Sequence, residues 1–251
     1  MVTGRHKIGR QGDQILEAIG GMSSIVGGCP TVLVGCAGTT GNVPAGQAAC
    51  VAARAGRNPP PGTVYPPGHP QAGTQIPSNT PGQSYNNCGI EVSRQIINTS
   101  TGAGVSQETL FNQATSPANN WANNVPGNAW ASGGTLPSQR VQILAANGVQ
   151  AHQEAPTMEN METAVANGRG VSVDVWAGNM PNWAGQGVAP GTGGHNILVT
   201  GVEYDDNGNP INVVVNDTGM GQCSQKIPYA NFKGALIGGG NNHVVTNNPI
   251  W

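Results

Sequence analysis

The chain has 251 residues, of which 39 are glycine and 19 proline, and only 9% are charged, for a net charge of −2. That length suits one sizeable domain with an appendage, and the charge balance gives no electrostatic case for binding DNA or RNA. The charge is unevenly placed: residues 1–75 carry five Lys/Arg against two acids, and residues 76–251 carry five against ten.

Between Glu17 and Arg54 the sequence has no charged residue, so a targeting or membrane segment has to be considered. Pro30 and the glycine pairs argue against a spanning helix, and no stable membrane association is expected. Leu33-Val34-Gly35-Cys36 fits a lipoprotein cleavage box, but Glu17 and Gly-Gly pairs interrupt the apolar stretch before it. Ser24 to Gly35 reads as a short strand, a turn and a second strand. This piece resembles a unit of the PAAR-repeat proteins that tip the bacterial type VI secretion spike; an ordinary glycine-turned hairpin is the alternative. Residues 55–82, with Pro59-Pro60-Pro61-Gly62, Pro66-Pro67-Gly68 and Pro81-Gly82, have no hydrophobic period and read as a linker. The expected organisation is a glycine-rich leader or PAAR-like segment over 1–54, a linker over 55–82 and a catalytic domain over 83–251.

Cys29, Cys36, Cys50, Cys88 and Cys223 are odd in number and lack zinc-ligand spacing, so neither a metal site nor a disulfide framework is indicated. A Cys29–Cys50 bridge or a similar one stays open. Cys88 stands apart, in Gln83-Ser84-Tyr85-Asn86-Asn87-Cys88-Gly89. Two asparagines there can cap a helix, and Ile90, Val92, Ile96 and Ile97 mark its buried face. A thiol in the first turn has its pKa lowered by the free N–H groups and the helix dipole. An isolated cysteine is also commonly a small buried hydrophobe. A thiol acting as nucleophile has to be reduced, which suits a reducing compartment.

Three more helices follow. Ser106 caps one through Leu110 and Phe111; Thr135-Leu136-Pro137 opens another with Val141, Leu144 and Ala145 inward and Gly148 as its stop. Thr157 opens a fourth with Met161, Ala164 and Val165 inward and Gly168 as its stop. The period then changes to two. Val171 to Trp176 alternates as a strand, and His195 to Tyr204 and Ile211 to Asp217 flank Asn207-Gly208, a strong hairpin signal. If the strands fold back about Asn207, His195 lies near residue 219 and Asp217 is a diagonal neighbour. A slip of one residue would turn Asp217 away and present Asn216 instead. Both registers are open to the sequence.

A thiol at a helix start with an imidazole held by a carboxylate is the constellation of cysteine acyl transfer. Cys88 is the expected nucleophile, His195 its base and Asp217 the orienting acid. Gln83 could donate its amide N–H, together with the Cys88 N–H, to the oxyanion. Trp176 and Trp183 flank the loop before His195 and are candidates to line a substrate groove. His152 and His243 lack an acid partner at a predicted strand position and are expected to be structural or exposed.

Taken in order, Gln83, Asn87-Cys88-Gly89, Gly194-His195-Asn196-Ile197-Leu198-Val199 and Val215-Asn216-Asp217-Thr218-Gly219 resemble the papain-like cysteine peptidases. The nearest pattern is that of the double-glycine peptidases that trim bacteriocin leaders. Ile227-Pro228-Tyr229-Ala230-Asn231-Phe232 is similar to that family's layout as well. The resemblance covers residues 83–240 and implies an α+β papain-like fold, with a helical N-terminal half whose nucleophile helix packs on an antiparallel sheet. It implies a thiol endopeptidase with no cofactor or metal, and a small residue such as glycine before the scissile bond. Asn87 departs from the acid usual before the cysteine, and Thr218 from the usual Asp-Pro. No transporter region follows, so a transporter-attached peptidase is not expected. With the PAAR-like leader, the resemblance points to an interbacterial effector toxin, secreted into a target bacterium and acting on a protein in its cytoplasm. Its expected partners are that protein, the secretion machinery and a cognate immunity protein. Self-cleavage after Gly20-Gly21 would follow the same preference. The same triad would serve a glutamine deamidase, a transglutaminase or a cell-wall amidase, and a non-catalytic spike adaptor is the reading from a different class.

Overall fold

The computed structural model describes residues 87–126, 132–184, 188–220, 222–239 and 241–251. Gln83, the expected leader and the expected linker lie outside the described residues. Among the described residues the chain is α+β, with five α-helices and one antiparallel six-stranded sheet. The helices are α1 (Cys88–Thr101), α2 (Gln107–Thr115), α3 (Pro137–Ala146), α4 (Met158–Ala166) and α5 (Tyr229–Ala235). The strands are β1 (Ala151–Glu154), β2 (Arg169–Trp176), β3 (Gly194–Tyr204), β4 (Pro210–Asp217), β5 (Gln222–Pro228) and β6 (His243–Pro249), in the order β1-β6-β2-β3-β4-β5.

Strand alternation sends neighbouring residues to opposite faces of the sheet, and both faces are covered. Val171, Val173 and Val175 of β2, Ile197 and Val199 of β3, and Val213 and Val215 of β4 pack with Met161 and Val165 of α4 and Phe232 of α5. On the other face Leu198 and Val244 meet Ile90, Ile96 and Ile97 of α1, Leu110 and Phe111 of α2, and Ile143 and Leu144 of α3. The sheet is therefore a central layer between α1–α3 and α4–α5, which explains the apolar runs Ile197-Leu198-Val199 of β3 and Val213-Val214-Val215 of β4. Among the described residues no helix is long and apolar enough to cross a membrane.

The helix starts follow local chemistry. Ser106 Oγ accepts from the Thr109 N–H, and Thr157 Oγ1 from the Asn160 N–H, each satisfying a backbone donor that the first turn leaves free. Asn87 takes the N-cap position of α1, yet its side chain makes no capping bond and is buried without a partner. The inward face of α3 also differs from the expected one. Pro137, Arg140, Ile143 and Leu144 are buried, while Ala145 is exposed and Val141 only half-buried. An arginine has displaced the apolar stripe by a residue, because it has an acid to meet inside.

The β3–β4 hairpin pairs Tyr204 with Pro210, Val202 with Val213, Val199 with Val215 and Leu198 with Asn216. Two irregularities, between Val199 and Gly201 and between Glu203 and Tyr204, shift the register on the way. At the far end the strands are aligned as folding about Asn207 requires. Asn216 turns toward α1, where its Nδ2 donates to Gln95 Oε1 at 3.1 Å. Asp217 thus takes the opposite face, beside His195.

Candidate active site

Cys88 is the first residue of α1, partly exposed and a free thiol. Gly89 follows it because the first turn is crowded. A Cβ there would collide with Thr135 Oγ1 and stand 3.0 Å from Arg140 Cδ. His195 enters from β3. Its Nε2 hydrogen-bonds Asp217 Oδ1 at 2.8 Å, which leaves Nδ1 to serve Cys88, with which the ring borders one cavity. The three residues expected to act together are thus brought together.

Asp217 is fully buried and well supplied with donors. Besides His195, its Oδ1 accepts from the Met220 N–H at 3.2 Å, and its Oδ2 accepts from Asn182 Nδ2 at 2.7 Å and Trp183 Nε1 at 2.8 Å. Burial by itself would push this carboxyl up, but the charge and hydrogen bond of His195, with the Trp183 and Met220 donors, hold it down at about 2. Burial opposes protonation of His195, and Asp217 and Cys88 overcome it, raising the imidazole to about 10. For Cys88 burial again opposes the charged form. The hydrogen bond and charge of His195, aided by the backbone N–H of Asn196, outweigh it, and the thiol pKa is lowered. Each charged group thus favours the other, the imidazolium the thiolate and the thiolate the imidazolium.

Trp183 has a different place from the expected one. It lies edge-on to His195, with centroids 5.1 Å apart at 62°, and its indole N–H serves Asp217. It covers the His195–Asp217 pair rather than lining the groove beside Cys88. Trp176 pairs with Gly194 at the end of β2 and is not among the residues around that groove.

Sequence reasoning missed a second polar group behind the thiol. Arg140 Nη2 donates to Asp174 Oδ2 at 2.7 Å, Asn196 Nδ2 donates to Asp174 Oδ1 at 2.7 Å, and Ser172 Oγ donates to Asn196 Oδ1 at 2.8 Å. This chain joins α3 to β2 and β3 and fixes the residue whose N–H faces the Cys88 sulfur. The signal available was Asp174 alone, a charge in an otherwise apolar alternating strand. A cavity of about 220 Å³ opens beside Cys88, bordered by His195, Asn196, Thr135, Arg140 and Asp174. His243 is buried, its ring nitrogens have no hydrogen-bond partner, and burial lowers its pKa to about 4, so it is neutral.

Cys223 is disulfide-bonded. A single bridge was left open by the cysteine spacing, and it coexists with the free Cys88 thiol. Among the described residues no three His, Cys, Asp or Glu side chains group as metal ligands.

No family model matches the sequence, and no curated protein matches it. Among solved structures it is similar to a Bacillus anthracis protein provisionally described as a C39-like peptidase. The identity is 15% and the TM-score 0.46, over 64% of this chain and 88% of that one.

Proposed function

We propose that this chain is a papain-like cysteine peptidase that cleaves a protein through an acyl-enzyme on Cys88. The observation that carries the reading is the line Cys88–His195–Asp217, with the thiol at a helix N-terminus and the acid held by four donors. In this reading the Cys88 thiolate attacks the scissile carbonyl carbon, and the carbonyl π electrons move to oxygen. The Cys88 N–H stands at the helix start, where such charge is favoured, and Gln83 is the expected second donor. His195 gives its Nδ1 proton to the leaving amine as the C–N bond breaks. It then takes a proton from the water that adds to the thioester carbonyl, and as the C–S bond breaks the Cys88 thiolate is returned beside the imidazolium. Asp217 keeps Nε2 bonded throughout, so the tautomer and the ring plane do not change.

The biological setting extends this reading. The PAAR-like piece from Ser24 to Gly35 supports an interbacterial effector whose substrate is a cytoplasmic protein of the target cell and whose producer carries an immunity protein. Expression of the chain and of Cys88→Ala inside bacteria, with a search of the proteome for new termini, tests both parts. Toxicity with new termini only from the intact thiol is the expected result. Toxicity that needs Cys88 but produces no new termini would move the assignment to deamidation or another acyl transfer. Toxicity that survives Cys88→Ala would favour a non-catalytic adaptor and overturn the enzyme reading.

A further inference from the structure

The cavity beside Cys88 has an unusual base. Arg140 and Asp174 form an ion pair there, and the side chains are 1% and 13% exposed respectively, so the acid is the member that reaches the cavity surface. Its two oxygens each accept one bond, from Asn196 Nδ2 and Arg140 Nη2. A carboxylate offers about four acceptor sites, so each oxygen keeps room for a donor from an incoming group. Gly134 and Gly194 border the opening without side chains, Ile237 forms an apolar wall, and Asn241 stands at the same cavity. The volume of about 220 Å³ exceeds what a glycine would fill.

The chemistry of possible occupants separates sharply. An aliphatic side chain would strip water from Asp174 and return no hydrogen bond. A carboxylate would meet Asp174 at close range, while the Arg140 guanidinium is buried, with Nη2 held by Asp174 and its unpartnered Nε also buried. An N–H group would take the free acceptor sites and leave the Arg140 pair intact. We propose that this cavity receives a substrate side chain next to the scissile bond, and that Asp174 selects one ending in an N–H donor, an amide or a cation, over aliphatic and acidic ones. The inference rests on the cysteine peptidase reading and replaces the expectation of glycine at that position.

Peptidyl chloromethyl ketones test it on the full chain without a known substrate. The Cys88 sulfur forms a bond to the methylene carbon as chloride leaves, and mass spectrometry follows the labelled residue. Probes carrying Gln, Lys, Leu, Glu or Gly at each of the two positions before the reactive group are compared. Gln or Lys at one position is expected to label Cys88 about tenfold or more faster than Leu, Gly or Glu, since a site built for donors rejects groups that lack them. Asp174→Asn keeps the shape but leaves Arg140 uncompensated, so the Lys-to-Glu rate ratio should fall about tenfold. A merely structural defect would slow all probes alike, and an unchanged ratio overturns the proposal. If that variant does not fold, the ranking on the native chain decides, and a preference for Leu, Glu or Gly overturns it. If no peptide probe outpaces chloroacetamide, the peptidase reading falls, and this inference with it.

Discussion

A methyl group at position 219 would stand 2.5 Å from Trp183 Cζ2 and 3.0 Å from His195 Cε1. Both atoms belong to rings that are held by Asp217, so neither can swing away without giving up a hydrogen bond. Gly219→Ala should therefore displace the imidazole or the indole. Misplacement of a reacting group by about 1 Å can cost about 10²-fold in rate, whereas overpacking costs about 1–3 kcal/mol. The expected outcome is a fall in Cys88-dependent hydrolysis of that order in a chain that still unfolds cooperatively, read by a rate assay beside a melting curve. Trp183 belongs to the same residue-scale lesson. Its place before the His195 strand was legible, but that its indole N–H serves a buried carboxylate was not.

Among the elements, α1 does two jobs at once. Its first residue carries the thiol, and Ile90, Ile96 and Ile97 lock it against the sheet with no exposed surface. Ile96→Ala should cost about 2–5 kcal/mol because the surrounding layers relax only partly around the cavity, a loss that chemical denaturation would read. The α1 start, the α2 and α4 caps and the β3–β4 hairpin were legible because each rests on local chemistry: a capping hydroxyl, an apolar period, an Asn-Gly turn. Other features were not. β1 and β6 run through Ala151-His152-Gln153-Glu154 and His243 to Pro249, which are short or rich in polar residues, and they are strands because they pair with each other and with β2. The α3 face was misread because Arg140 is buried by a contact with Asp174, distant in sequence, which no helical period displays.

At the scale of the whole molecule, charge on the triad couples to pH in two ways. Hydrolysis should rise with pH as Cys88 ionises, at a pKa below the ordinary thiol value of 9.0, and fall as His195 loses its proton near about 10. A rate–pH profile would show that plateau, and a profile rising only above the ordinary thiol value would contradict it. The stability consequences have opposite signs. Asp217, lowered to about 2, contributes stability that is present above its usual 3.8 and lost as pH falls toward 2; His195, raised to about 10, contributes stability that is complete below its usual 6.5 and lost as pH rises toward 10. Melting curves of the chain and of Asp217→Asn, compared across both ranges, would show the difference between them narrow at each end. The site is also divided along the chain: the thiol comes with α1, while its base and the acid arrive on β3 and β4, more than a hundred residues later. During synthesis the sulfur has neither His195 nor Asp217 beside it until both strands have been made, so the groups that lower its pKa reach it only after α1 itself has left the ribosome.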